Sequence, residues 1–145
     1  MKHLLDTGVW IRAVNQPDTI PSTVLRVLEA PHEVFGLAAI SLWEVGKKVQ
    51  LRKLPLPKDL PLWFADALAP NLEVLPLSDR VVVEAMRLPK FPTRNPADEL
   101  IVATARVHGL TLLTTDTALR GYEHARIHYF KPRQSQGKSG PRTRR

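Results

Sequence analysis

Asp6, Glu44, Asp98 and Asp116 each stand at a polar end of one of the chain's most hydrophobic segments. Asp6 closes Leu4-Leu5, and Glu44 follows the apolar run 37–43. Asp98 precedes Leu100-Ile101-Val102-Ala103, and Asp116 ends Leu112-Leu113-Thr114-Thr115. In a chain that alternates strands and helices, the carboxyl ends of the strands share one edge of the sheet, where ligands bind. Four carboxylates brought to that edge repel one another unless a cation neutralises them. A cluster made only of oxygen donors suits magnesium or manganese.

Each acid also has a purely local explanation. Asp6 can begin a turn with Thr7-Gly8, and Glu44 can pair with Lys48 across one helical turn for about 0.2–0.5 kcal/mol. Asp98 suits the first turn of a helix, and Asp116 can cap a short helix at 117–119. Four such placements in one chain are better explained by one shared site. Thr7, Ser41 and Thr115 then fall where a hydroxyl can hold a carboxylate or a water molecule. Lys47, Lys48 and Arg94 are the nearby cations that can meet a substrate phosphate.

Other chemistries find less support. There is no cysteine, which removes disulfides, thiolate metal sites and thiol catalysis. His3, His32, His108, His124 and His128 show no metal-ligand spacing and are read as surface residues. No glycine-rich phosphate loop is present. Asp6-Thr7-Gly8 matches the triplet of aspartic proteases, but that fold is almost entirely β, against the helical patterns at 41–52 and 97–108. Trp10, Trp43 and Trp63 are read as packing residues, Trp43 as the better candidate for the core than Trp63.

The chain of 145 residues fits one domain with a real core. Its net charge of +7 is concentrated at one end. Lys131, Arg133, Lys138, Arg142, Arg144 and Arg145 leave 15 basic against 14 acidic groups in residues 1–130. The domain is therefore placed at 1–130, and 131–145 is expected to be a disordered basic tail with weak affinity for nucleic-acid phosphates. No signal-peptide core or membrane span is legible, so a cytoplasmic protein is expected.

Periodicity supplies the elements that must position the acids. Strands are predicted at 2–5, 34–39, 72–75, 111–113 and 127–130. Helices are predicted at 22–30 from Ser22, at 41–52 from Ser41, near 62–68, from Ser78 to about 88, and at 97–108 between Pro96 and Gly109. A short turn or helix runs through Trp10-Ile11. Strands alternating with helices imply an α/β three-layer sandwich around a central, mostly parallel five-stranded sheet.

Four segments carry a family resemblance: Leu4-Leu5-Asp6-Thr7, Ser41-Leu42-Trp43-Glu44-Val45 with Lys48, Pro96-Ala97-Asp98-Glu99-Leu100-Ile101, and Leu113-Thr114-Thr115-Asp116. In that order and spacing they resemble the motifs of PIN-domain nucleases, most closely the VapC-type toxins of bacterial toxin–antitoxin pairs. The resemblance covers roughly residues 1–130. It implies that Asp6, Glu44, Asp98 and Asp116 are catalytic ligands for one or two Mg²⁺ or Mn²⁺ ions, and that RNA is hydrolysed. It also implies a small antitoxin protein that inhibits the enzyme, and a homodimer is expected. Two positions depart from the pattern: Asn95 where an Asp is frequent, and Glu99 where an Arg is common. The rival expectations are a DNA-directed nuclease of the same type and a non-catalytic α/β module that binds nucleic acid or protein.

Overall fold

The computed structural model describes residues 1–135. Its five strands are β1 (His3–Leu5), β2 (Phe35–Ala38), β3 (Leu72–Leu75), β4 (Thr111–Thr114) and β5 (Ile127–Tyr129). All pair in parallel, in the order β3-β2-β1-β4-β5. The sheet is therefore wholly parallel, and its connections reverse direction between β1 and β4. That junction is the topological switch point, beyond whose carboxyl edge open α/β sheets bind ligands.

Strand alternation divides the core between two faces. Leu5, Leu37 and Leu113 point to one side, against helices α1 (Thr7–Asn15), α2 (Ser22–Leu28) and α4 (Leu60–Ala67). Leu4, Ala38 and Leu112 point to the other, against α6 (Pro96–His108), on which α5 (Asp79–Met86) also rests. The remaining helix, α3 (Ile40–Gln50), follows β2 directly. The expected three layers are thus present. No helix among the described residues is long and apolar enough to cross a membrane.

Local sequence signals account for some of the helix ends. The Ser78 hydroxyl accepts the Val81 N–H at 3.2 Å to start α5. Gly109, at φ +66°, ends α6 in the left-handed conformation that glycine adopts without steric cost. Three expectations differ. Ser22, expected to cap α2, is its first residue, and the cap position is Pro21. The segment after Asp6 is a full nine-residue helix, because Asp6 caps it and Val9 and Trp10 anchor it in the core. Ser41 lies inside α3 and does not cap it.

The tryptophans reverse their expected order. Trp10 and Trp63 are buried, whereas Trp43 is 59% exposed. On α3 the buried positions are Ser41 and Val45, one helical turn apart, and Trp43 falls between them on the outer face. Trp63 packs on Trp10 with ring centroids 5.1 Å apart and donates its indole N–H to Asn15 Oδ1 at 2.9 Å. Trp10 donates to the Ala67 carbonyl at 3.0 Å, so both buried indoles are satisfied. The expected tail lies largely outside the described residues. Residues 131–135 run against the 3-10 turn Pro17–Thr19, where the Arg133 N–H donates to the Thr19 carbonyl at 2.7 Å.

Candidate metal centre

Asp6 follows β1 on the sheet's carboxyl edge, with its backbone N–H bonded to the Leu113 carbonyl of β4 at 2.9 Å. Its side chain is buried beside the switch point. Oδ1 accepts the Thr7 N–H at 2.9 Å, and Oδ2 accepts the Thr114 hydroxyl at 2.6 Å. Thr114 in turn accepts the Asp116 N–H at 3.0 Å. A single buried hydroxyl therefore links the first and fourth acidic segments.

Glu44 is presented by α3. The Thr7 hydroxyl donates to Glu44 Oε1 at 2.5 Å and lies 2.7 Å from the Ser41 hydroxyl. A hydroxyl has one proton, so with Thr7 donating to Glu44, Ser41 donates to Thr7. Ser41 is fully buried and needs that partner. The result is a relay from Ser41 through Thr7 to Glu44.

Asp98 is the third residue of α6. Asn95 Oδ1 accepts the Ala97 N–H at 3.0 Å and caps the helix, which fixes the turn carrying Asp98. The Thr93 hydroxyl donates to Asp98 Oδ2 at 3.0 Å. Asp116 caps the 3-10 turn Thr117–Leu119 by accepting the Ala118 N–H at 2.9 Å. The local capping roles of Asp6 and Asp116 thus coexist with their place at the shared edge.

The carboxylates act on one another electrostatically. Burial pushes the Asp6 carboxyl above the usual range. The Thr114 and Thr7 hydrogen bonds oppose that shift, while the charges of Glu44 and Asp116 add to it. Burial likewise raises Asp98; Thr93 opposes the shift, Asp6 and Asp116 reinforce it, and Lys48 lowers it. All four acids belong to this network, and Lys48 is the cation whose charge enters it. Lys48 is exposed and forms no ion pair with Glu44 among the described residues. Lys47 turns to Gln50 Oε1 at 2.7 Å, and Arg94 is exposed.

Among the described residues, no three His, Asp or Glu side chains meet at the separation that holds a metal ion. Asp6, Glu44 and Asp98 each accept a hydroxyl proton from a threonine, and Asp116 accepts a backbone N–H. The donor set still fits a hard divalent cation in kind, since it consists of carboxylates whose mutual repulsion is only partly offset by Lys48.

Sequence reasoning selected Thr7 and Ser41, and both hydroxyls join the Glu44 relay. It selected Thr115, whose hydroxyl bonds neither Asp6 nor Asp116 among the described residues; its Oγ1 faces Gly8. It missed Thr114 and Thr93. β4 extends through Thr114, one residue beyond its expected end, and strand alternation decides which of two adjacent threonines points at Asp6. The position of Thr93, five residues before Asp98, carried no comparable signal.

The PIN domain family model matches residues 3–125. Ribonuclease VapC22 of Mycobacterium tuberculosis is 30% identical over 123 residues, 85% of this chain and 93% of that protein. Among solved structures, VapBC2 from Rickettsia felis bound to a promoter DNA fragment has a TM-score of 0.68 at 19% identity. That match covers 89% of this chain and 98% of the other. VapC20 of Mycobacterium tuberculosis, a sarcin-ricin loop cleaving toxin, has a TM-score of 0.59 at 16% identity. It covers 86% of this chain and 99% of its own.

Proposed function

The chain belongs to the PIN-domain family, and from that premise we propose that it is a metal-dependent endoribonuclease, the toxin of a toxin–antitoxin pair. The observation that carries this reading is the geometry at the β1/β4 switch point, where Thr114 joins Asp6 to the Asp116 backbone and Thr7 joins the Asp6 turn to Glu44. The VapC22 relative is a ribonuclease, which agrees with it.

Asp6, Glu44, Asp98 and Asp116 would hold one or two Mg²⁺ or Mn²⁺ ions. Such an ion supplies an activated water and neutralises charge that develops on a phosphodiester. The chain's own residues prepare the site. Thr114 and Thr7 keep Asp6 fixed, and the Ser41–Thr7 relay orients Glu44. Thr93 steers Asp98, and the charge of Lys48 offsets part of the repulsion around it. No side chain needs to form a covalent bond to the substrate.

The antitoxin reading is supported by a groove of about 660 Å³ beside α1 and α4, lined by Ile11, Val14, Leu54, Trp63, Lys58 and Asp66. An amphipathic helix suits an apolar groove of this kind. VapBC complexes are among the structural neighbours. Exposed Val82, Val83 and Met86 on α5 offer an apolar face for a homodimer. The reading places the protein in the cytoplasm, where an antitoxin encoded beside it would meet it.

Purified protein incubated with single-stranded RNA and DNA in Mg²⁺, Mn²⁺ or EDTA tests the assignment. RNA cleavage that requires the divalent ion is the expected outcome. Cleavage of DNA alone gives the site to a DNA nuclease, and cleavage in EDTA removes the metal from the account.

A further inference from the structure

The loop that leads into Asp98 and the loop that leaves Asp116 are fastened together. Tyr122 donates its hydroxyl to the Pro89 carbonyl at 2.7 Å, and its ring meets Phe91 edge-on with centroids 5.5 Å apart. Between these loops lies a pocket of about 260 Å³, lined by Lys90, Arg120, Tyr122, Glu123 and His124 among others.

Three observations point to an anionic ligand. Lys90 stands at φ +48°, a conformation that non-glycine residues rarely adopt and that is enriched at binding sites. The Arg120 guanidinium lies 5.0 Å from the centre of the Tyr129 ring, which orients the cation without neutralising it. Neither Lys90 nor Arg120 forms an ion pair among the described residues, and Glu123 is the one carboxylate in the lining.

The pocket's position gives those cations a purpose. Arg120 is four residues after Asp116, so the two Cα atoms lie within about 14 Å of each other. Lys90 is three residues before Thr93, the partner of Asp98. A carboxylate centre repels an anionic strand, so a substrate that must cross it has to be held by cations alongside. We propose that this pocket is a phosphate subsite for single-stranded RNA, with Lys90 and Arg120 each meeting one backbone phosphate of the strand bound at the carboxylates. The inference rests on the ribonuclease reading and extends it to the path of the substrate.

Fluorescence anisotropy of a short labelled single-stranded RNA, titrated in EDTA between about 50 and 200 mM salt, reads the number of phosphates held. The Lys90→Gln/Arg120→Gln variant is expected to lose about 1.4 from the slope of log affinity against log salt, and each single variant about 0.7. In Mg²⁺ its KM for RNA cleavage should rise while kcat stays near the parent value. The charge-retaining Lys90→Arg/Arg120→Lys variant should keep the parent slope. An unchanged slope in a double variant that melts like the parent overturns the subsite. So does an equal loss in the charge-retaining variant, because the effect is then structural. An unchanged slope together with loss of antitoxin binding gives the pocket to a protein partner and likewise overturns it. A parent protein that neither binds nor cuts RNA overturns the ribonuclease reading as well.

Discussion

Thr114 does two jobs with one hydroxyl, donating to Asp6 and accepting from the Asp116 backbone. Replacing it by valine keeps the shape and removes both bonds. Thr114→Val should cost about 1–3 kcal/mol of stability, because a buried carboxylate loses its donor. It should also raise the Mn²⁺ concentration needed for cleavage by about 10–100-fold, the usual effect of losing a group that orients a ligand. Denaturant melts and a metal titration of activity check the two effects separately. The acids themselves give a pH prediction. The Asp98 carboxyl is raised by burial and by the charges of Asp6 and Asp116. A carboxyl raised in the folded state favours folding below its unfolded value of about 3.9, and this contribution is lost as pH rises through the folded value. In EDTA, Asp98→Asn should therefore melt increasingly above the parent as pH rises from about 4 towards neutrality. Melting curves across that range check it; a gap that stays constant or narrows contradicts the burial of the charge.

At the scale of elements, α6 shows how a helix start becomes part of a site. Asn95 caps it, Pro96 opens it, and Asp98 occupies its third position. Asn95→Ala should cost about 1 kcal/mol and lower cleavage, since the turn holding Asp98 frays. Asn95→Asp, which keeps the cap, should restore both, as thermal melts and initial rates would show. The cap also gives the departure at this position a structural role. These starts and stops were legible in the sequence because they are local: Ser78, Gly109 and strand β3 at Leu72–Leu75 stand where the pattern placed them. That the four acids stand along one edge was legible because strand ends and helix starts converge in any parallel α/β sheet. What the sequence did not reveal depends on which way a residue faces. Adjacent residues of an extended chain point to opposite faces, and β4, running through Thr114, turns that hydroxyl and not the one of Thr115 to Asp6. Trp43 and Trp63 exchanged roles because α3 turns Ser41 and Val45 inward, which puts Trp43 on its outer face, while α4 turns Trp63 onto Trp10. The length of α1 escaped for a related reason: Thr7 and Gly8 are poor helix formers, and burial of Val9 and Trp10 outweighs them.

The whole molecule divides its labour across the sheet's faces and edge. One face carries the buried tryptophan pair and the groove at α1 and α4, the other the α5–α6 layer, and the carboxyl edge carries the acids. This arrangement lets a partner seated in the groove approach the carboxylates from the side of α1, the helix that Asp6 begins. Co-expression with an antitoxin encoded beside this chain should yield a stable complex that no longer cuts RNA. Ile11→Asp, placed in the groove, should release the partner and leave RNA cleavage by the free toxin intact. Co-purification and cleavage assays on the same samples decide this, and a neighbour that neither binds nor inhibits marks a stand-alone nuclease.

The central claim is that Asp6, Glu44, Asp98 and Asp116 form one divalent-cation site, and calorimetric titration with Mn²⁺ tests it most directly because no substrate enters the measurement. The parent should bind Mn²⁺ saturably, with a rise in melting temperature, and both should be lost in Asp6→Asn and in Asp98→Asn, which lie 92 residues apart in the chain. Absence of Mn²⁺ binding by the folded parent, or binding undiminished in both variants, would contradict it.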